Sequence, residues 1–309
     1  MDFRLTEEQG LFKDTIRRYA QEKIAPLAKE VDEKDEFPMD ILQDMGRLGF
    51  LGIGVTEDYG GSLTQGGQGS GAVNSCILVE EMARASSGIA AGIMAHIGLG
   101  MGPVFGFGSN AQKRKYLVPA VKGEALTGLA LTEPNAGSDV ANIQMTAVKQ
   151  GGSYVLNGTK TFITNGSLAH YLVVAAKTDR TKGSRGLSLF IVEKKTPGFS
   201  ATKKLDKLGW RGSDTAELVF EECRVPEDAL LGGENEGFPM IAKTLQSGRV
   251  TIAAFALGTA ESAFEAALKY SQERVAFGQP ISRFQAIRFK LTQMATEIEA
   301  ARLLIMKAA

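Results

Sequence analysis

The sequence predicts an α+β fold: an N-terminal helical domain, a middle antiparallel β-barrel or sandwich domain, and a C-terminal helical bundle. Three observations carry this. Apolar residues recur at helical spacing before about Leu126 and again after about Phe238. The stretch between them alternates in short runs separated by Gly-Gly and Asn-Gly turns. The length of 309 residues accommodates roughly two domains, with three small ones possible. The expected domains are residues 1–125, 126–233 and 234–309.

In the first domain, Thr6 and Gln9 form a capping box before a helix whose face carries Phe12, Ile16, Tyr19, Ala20 and Ile24. Pro38 opens a second helix with Ile41, Leu42, Met45 and Leu48 on its face. After a Gly-rich loop from Gly60 to Gly71, helices are expected over 73–83, 89–98 and 111–121. The stretch 86–107 carries no formal charge except a possible one on His96, and it has about the length of a bilayer span. Its many glycines, Pro103 and lack of a Leu/Ile/Val-dense centre read instead as a buried helix lining a ligand cavity. In the second domain, runs at 145–148, 154–156, 161–164, 171–175, 187–192 and 216–220 read as strands. Gly151-Gly152, Asn157-Gly158 and Asn165-Gly166 read as the tight turns between them. In the third, Ile287, Leu291, Met294, Ile298, Ala301 and Ile305 alternate spacings of four and three, a heptad seam that lies along another helix. The seam runs unbroken to Ala309 without a Gly or Asn C-cap, so the bundle is expected to be incomplete.

Composition narrows the function classes. With Lys+Arg 35 against Asp+Glu 35 there is no global basic field to hold nucleic acid or an anionic membrane. Cys76 and Cys223 lie far apart with no CxxC pair, as reduced thiols of a cytoplasmic protein do. His96 and His170 form no HxxxH or Cys/His cluster, which argues against zinc. The first residues lead straight into a helix, and no signal or transit peptide is expected. A relaxed dinucleotide pattern at Gly67-Gln-Gly69-Ser-Gly-Ala72 follows a polar loop rather than a strand and reads as accidental. No P-loop occurs. Glu80-Glu81 and Glu221-Glu222 read as solvated charged faces.

One segment stands out. Leu129-Ala-Leu131-Thr132-Glu133-Pro134-Asn-Ala-Gly137-Ser138-Asp139 joins an apolar strand end to a Thr-Glu-Pro corner and a small-residue turn. Taken alone it is either an ordinary turn or a corner offering backbone N–H groups and hydroxyls to a flat, polar-edged cofactor with an anionic tail. Two others accompany it: Lys160-Thr-Phe162-Ile-Thr164-Asn165-Gly166, and Arg274-Val-Ala-Phe277-Gly278-Gln-Pro280 followed by Phe284-Gln285. With Gly209-Trp210-Arg211-Gly212-Ser213 and Val225-Pro226, this ordered set resembles the acyl-CoA dehydrogenase family over nearly the whole chain.

The resemblance, closest to short- and medium-chain types such as butyryl-CoA dehydrogenase, implies an FAD-dependent homotetrameric flavoprotein of fatty acid metabolism in the cytoplasm. Such an enzyme dehydrogenates an acyl-CoA substrate to trans-2-enoyl-CoA and passes electrons to an electron-transferring flavoprotein. It implies that Leu129, Leu131 and Thr132 meet the isoalloxazine, with Thr132 bonded to its pyrimidine edge. Phe162, where the family usually has Trp, packs beside the flavin, and Thr164 bonds near N5. Ser138 faces both the FAD phosphates and the CoA. Arg274, Phe277 and Gln285 bind the FAD of a neighbouring subunit, and Arg249 lies by the substrate. A carboxylate at the α-carbon and a polarised thioester carbonyl complete that chemistry. The departure concerns this base. One branch has its Glu just before the Arg that matches Arg249, where this chain has Gly248. The other has it in a later segment, so the catalytic Glu is expected beyond Ala309 and the 309-residue chain is expected to bind FAD poorly and turn over little. Two alternatives remain: a truncated, non-catalytic flavin- or CoA-binding assembly partner, and a same-fold acyl-CoA oxidase.

Overall fold

A computed structural model of the chain describes residues 4–63 and 70–309. The helical, β and helical segments follow one another as expected. Gly67, Gln68 and Gly69 of the dinucleotide-like match lie outside the described residues.

The helices are α1 (Glu7–Tyr19), α2 (Ala28–Lys34), α3 (Met39–Arg47), α4 (Ser70–Ala85), α5 (Ser87–Met94), α6 (Gly102–Phe107), α7 (Asn110–Gln112), α8 (Val118–Val121), α9 (Gly237–Glu273) and α10 (Gln285–Ala308). Thr6 and Gln9 close the capping box at the start of α1, Gln9 N–H to Thr6 Oγ1 at 3.2 Å and Thr6 N–H to Gln9 Oε1 at 3.0 Å. Pro38 caps α3, which buries Ile41, Leu42 and Met45; Leu48, just past its end, is exposed. Wide π-helical turns join α5 to α6 (Ala95–Met101) and α7 to α8 (Lys113–Leu117). The apolar stretch Ser87–Phe107 has 67% of its most hydrophobic window buried, as a core helix does.

The chain forms two compact units, Met1–Ala28 with Gln68–Ala90 and Arg249–Ala309, and Lys29–Gly67 with Ala91–Gly248. The second holds the sheet. Its strands are β1 (Thr127–Ala130), β2 (Thr146–Gln150), β3 (Ser153–Thr164), β4 (Tyr171–Lys177), β5 (Leu187–Glu193), β6 (Phe199–Lys204), β7 (Thr215–Pro226) and β8 (Leu230–Leu231), ordered β6-β7-β3-β2-β4-β5-β8 with β1 also on β4. Most pairings are antiparallel, and two are not. β1 runs parallel to β4 over Tyr171–Val174, and β2 meets β4 in parallel at Lys177. Both lie along the edge of β4 that β5 does not occupy, so residues 131–145 loop out between them.

β4 is buried along its whole length because both its faces are covered. Tyr171, Val173 and Ala175 join a core with Val104, Leu117 and Val121 from the helices. Leu172, Val174 and Ala176 face a second core with Leu156, Ile163, Leu218 and Phe220 from β3 and β7. Gly151-Gly152, both at positive φ, makes the β2–β3 hairpin turn. Asn165-Gly166 ends β3, with Asn165 at positive φ. Asn157-Gly158 is different: it lies inside β3 rather than between two strands. The register with β7 shifts there, between Leu156 and Gly158, so the predicted turn is a β-bulge in one long strand.

The first unit is a helical bundle. Cys76 on α4, Ala254 and Leu257 on α9, and Ile305 on α10 share a core with partly buried Ile298 and Ala301. The heptad residues of α10 are all buried or partly buried, as the seam required, with only Arg302 and Met306 beside them in the helix not exposed. Glu80 and Glu81 correct an expectation: both are buried. Lys13 reaches Glu80 at 2.9 Å, Arg17 reaches Glu81 at 2.8 Å, and Arg302 reaches Glu80 at 2.5 Å and also Glu261. Cations arriving from α1 and α10 compensate a burial that α4's own sequence does not announce. Burial pushes the Glu81 carboxyl up, but Arg17's hydrogen bond and charge, with Lys13 and Arg84, bring it below its ordinary value. Glu221 and Glu222 are exposed, as read.

Candidate functional site

The stretch Leu129–Asp139 begins at the end of β1, where the sheet edge opens. Leu129 is buried against the helical layer, Leu131 and Thr132 are half-buried, and Ser138 is exposed. Once β1 stops pairing with β4, the corner is held by β3: Thr161 N–H donates to the Thr132 carbonyl at 2.9 Å. Behind it sits a buried ion pair. Lys160 Nζ lies 2.8 Å from Glu133 Oε1 and donates to the Leu131 carbonyl at 2.9 Å. Glu133 also accepts from the backbone N–H of Met145 (3.0 Å) and Gln144 (2.5 Å), the two residues before β2. Burial lowers the Lys160 ammonium to about 8, against the opposing pull of Glu133.

Between Lys160 and Ile163 the β3–β7 register shifts again, and Phe162 takes φ 57°. A bulge at the end of a strand re-aims a side chain, and here it turns the Phe162 ring outward, 67% exposed. A large aromatic held in the left-handed region and presented to solvent is strain that the surroundings must enforce. They do. Asn165 N–H bonds the Asp214 carbonyl at 2.8 Å, and Asn165 Nδ2 donates to the carbonyls of Gly92 and Thr127 at 3.0 Å each. Asp214 in turn accepts from the Ser167 backbone and hydroxyl. β1 and β3 also approach closely: a Cβ on Gly128 would lie 2.6 Å from the Thr164 carbonyl.

Leu129, Leu131, Thr132, Phe162 and Thr164 are thus brought to one corner of the sheet, at the end of β1 and the end of β3. Among the described residues, no protein group bonds the hydroxyls of Thr132, Ser138 or Thr164. That donor set suits a flat heteroaromatic ring with polar edges, and the exposed Phe162 ring suits stacking or edge contact with it. Nearby in sequence to β7, Trp210 also has positive φ, in a loop tied down by Gly212 N–H to Asp35 Oδ1 at 2.7 Å.

Arg249, Arg274, Phe277 and Gln285 belong to the other unit. Strands β9 (Val275–Ala276) and β10 (Gln279–Pro280) form a small hairpin with Phe277-Gly278, both at positive φ, as its turn. Ile281 N–H closes it onto the Arg274 carbonyl at 2.8 Å. Phe277 stands at the tip, 96% exposed, with its ring edge-on to Phe284 at 6.0 Å. Arg274 and Gln285 flank the hairpin and are exposed, and Arg249 is exposed on α9. The hairpin therefore groups a cation, an amide and an aromatic on one outward-facing feature.

Sequence reasoning missed the Glu133–Lys160 pair, although both residues lie inside the motifs it singled out. A lysine in mid-strand, two residues before an apolar run and in register with Leu218, is the signal that could have found it. Asn165, expected in a tight turn, is a buried fastener, and so is Asp214, which the sequence reading does not single out.

Fold and site together define an α+β chain of the helical–β–helical class with unpartnered hydroxyls and an outward-turned aromatic at one corner of its sheet. Family models match it throughout: the acyl-CoA dehydrogenase N-terminal domain over residues 6–124, the middle domain over 128–223 and the C-terminal domain over 235–309. The short-chain-specific acyl-CoA dehydrogenase of Clostridium acetobutylicum is 44% identical over 309 residues, covering 100% of this chain and 80% of that protein. Butyryl-CoA dehydrogenase from Megasphaera elsdenii superposes with TM-score 0.95 at 43% identity, over 100% of this chain and 80% of that one. A chain from a structural study of the electron-transferring flavoprotein of Acidaminococcus fermentans, concerned with flavin-based electron bifurcation, matches with TM-score 0.94 at 44% identity, over 99% of this chain and 79% of that one. The chain belongs to the acyl-CoA dehydrogenase family.

Proposed function

We propose that this protein is an FAD-dependent dehydrogenase that converts a short-chain acyl-CoA thioester to its trans-2-enoyl-CoA, with an electron-transferring flavoprotein as electron acceptor. The short-chain and butyryl-CoA relatives and the flavoprotein-associated structure support the substrate class and the acceptor. The observation that carries the reading is the corner where Thr132, Thr164 and the exposed Phe162 meet with unpartnered hydroxyls. FAD, when bound, supplies the hydride acceptor. The chain's residues do the rest: Leu129 and Leu131 provide an apolar wall, Thr132 and Thr164 orient the ring by hydrogen bonds, and Phe162 covers it from water. Ser138 serves the phosphate and CoA side, and Arg249 the thioester side. Arg274, with Phe277 and Gln285, offers charge and an amide to the cofactor of a neighbouring subunit in a homotetramer. The three family-model spans support functional domains at 1–125, 126–233 and 234–309. Two free, buried cysteines accord with a cytoplasmic location.

The α-proton base is not among residues 1–309 in this reading. Gly248 carries no carboxylate beside Arg249. The buried acids Glu80, Glu81, Glu133 and Asp214 are each committed to ion pairs or backbone N–H groups. The test is turnover of butyryl-CoA by the 309-residue chain with FAD and a dye acceptor. Rates a thousandfold or more below those of a complete family member are expected. Comparable rates would place the base inside this sequence. The non-catalytic assembly reading gains support only if FAD binds and no reduction by acyl-CoA is seen even when a full-length homologous subunit is mixed in.

A further inference from the structure

The Glu133–Lys160 pair is unusual for where it lies. Lys160 is fully buried in a β-strand and Glu133 nearly so. A buried ion pair seldom stabilises a fold more than apolar residues of the same volume would. Its four bonds, however, all fall on the break in the sheet. Lys160 takes the Leu131 carbonyl, the first that β1 leaves unpaired on reaching the loop, and the Glu133 carboxylate. Glu133 takes the N–H groups of Gln144 and Met145, where the loop rejoins the sheet. Lys177 N–H then bonds the Met145 carbonyl at 2.8 Å, restoring pairing with β4. One end of the loop 131–145 is thereby held directly by Lys160 on β3, and the other through Glu133, which Lys160 holds in turn. The residue after Lys160 donates to Thr132, and the next but one is the outward-turned Phe162.

We infer that Glu133 and Lys160 act as a positioning pair for the ligand-facing corner, fixing the Leu131–Thr132 backbone against β3 so that Thr132, Phe162 and Thr164 keep one spatial relation. The inference rests on the flavin reading above for the ligand's identity, but not for the clamp itself. Neither charged group reaches the surface, so neither touches the ligand; both act through the backbone they hold. The pair gives the corner a rigidity that its own Pro-Asn-Ala-Gly sequence does not supply.

The test uses the full 309-residue chain as wild type, Lys160→Met and Glu133→Gln, with Phe220→Leu as a core-destabilising control that touches none of the clamp's bonds. FAD affinity is read by flavin fluorescence, the bound flavin by its visible spectrum, and the backbone by amide hydrogen exchange. Expected in Lys160→Met are at least tenfold faster exchange at Gln144, Met145 and Thr161 with the β4–β5 ladder unchanged, at least tenfold weaker FAD binding and an altered visible band. Phe220→Leu should lower the thermal midpoint without these local effects. Glu133→Gln keeps the side-chain shape and one acceptor oxygen, and serves if Lys160→Met does not fold; it should release the same amides. Corner amides that stay protected, or exchange that rises uniformly across the sheet, would overturn the clamp. Local release with unchanged FAD affinity would overturn its positioning role. Because this chain is expected to bind FAD poorly, only a wild type that shows no binding even at about millimolar FAD would instead refute the flavin reading, with the exchange data still deciding for or against the clamp.

Discussion

His96 should make the fold's stability fall in mild acid. It is fully buried between the helical layer and β1. Its Nδ1 accepts from Thr127 N–H at 3.2 Å, and its Nε2 lies 3.1 Å from the Ala120 carbonyl. Those contacts fit the neutral ring with the proton on Nε2; a second proton on Nδ1 would face the Thr127 N–H. Burial is the main cause lowering its pKa to about 4 from 6.5, the Ala120 bond opposes it, and His170 adds to the lowering. The folded pKa lies below the unfolded one, so the contribution is complete above pH 6.5 and is lost as pH falls towards 4. That gap, at about 1.4 kcal/mol per pH unit, is worth about 3 kcal/mol. The assay is urea denaturation of wild type and His96→Gln at intervals from pH 7 to pH 4.5. Gln is expected to lower stability at pH 7 while flattening the slope between about 6.5 and 4.5. A wild-type slope that His96→Gln leaves unchanged would refute the assignment.

In the helical bundle, Arg302→Met leaves buried Glu80 with Lys13 alone and deprives Glu261 of its cation. Removing one partner of such a group is expected to cost about 3 kcal/mol, read as a lower urea midpoint; a change under about 0.5 kcal/mol would show the network to be solvated. Gly128→Ala would put a Cβ 2.6 Å from the Thr164 carbonyl, so a loss of about 1–3 kcal/mol together with weaker FAD binding is expected by thermal melting and flavin titration. Phe162→Ala acts on an exposed ring and should change stability by no more than about 0.5 kcal/mol. Its FAD affinity should still fall about three- to tenfold, the size of an aromatic contact; unchanged affinity would remove Phe162 from the site.

Much of this architecture was legible because local chemistry and tertiary need agree. The Thr6–Gln9 box, the Gly151-Gly152 turn and the α10 seam each follow from bonding or periodicity within a few residues. What misled the sequence reading depends on partners far along the chain. Glu80 and Glu81 look solvated until Lys13, Arg17 and Arg302 arrive from other helices. Asn157-Gly158 has the composition of a turn, yet β7 continues to pair on both sides of it and makes it a bulge. The corner at Leu129–Ser138 was recognisable from its residues. Its fastening by Lys160 was not, because the contact joins residues 27 apart, one on β3 and one in the loop after β1.

The account's central claim is that the end of β1 and the end of β3 form the flavin site. Equilibrium titration of FAD against wild type and the double variant Thr132→Val/Thr164→Val tests it most directly, with thermal melts run alongside. Valine keeps the shape of threonine and replaces only its hydroxyl with a methyl group. The account predicts unchanged melting and at least tenfold weaker FAD binding. Equal affinity in two equally stable proteins would contradict it.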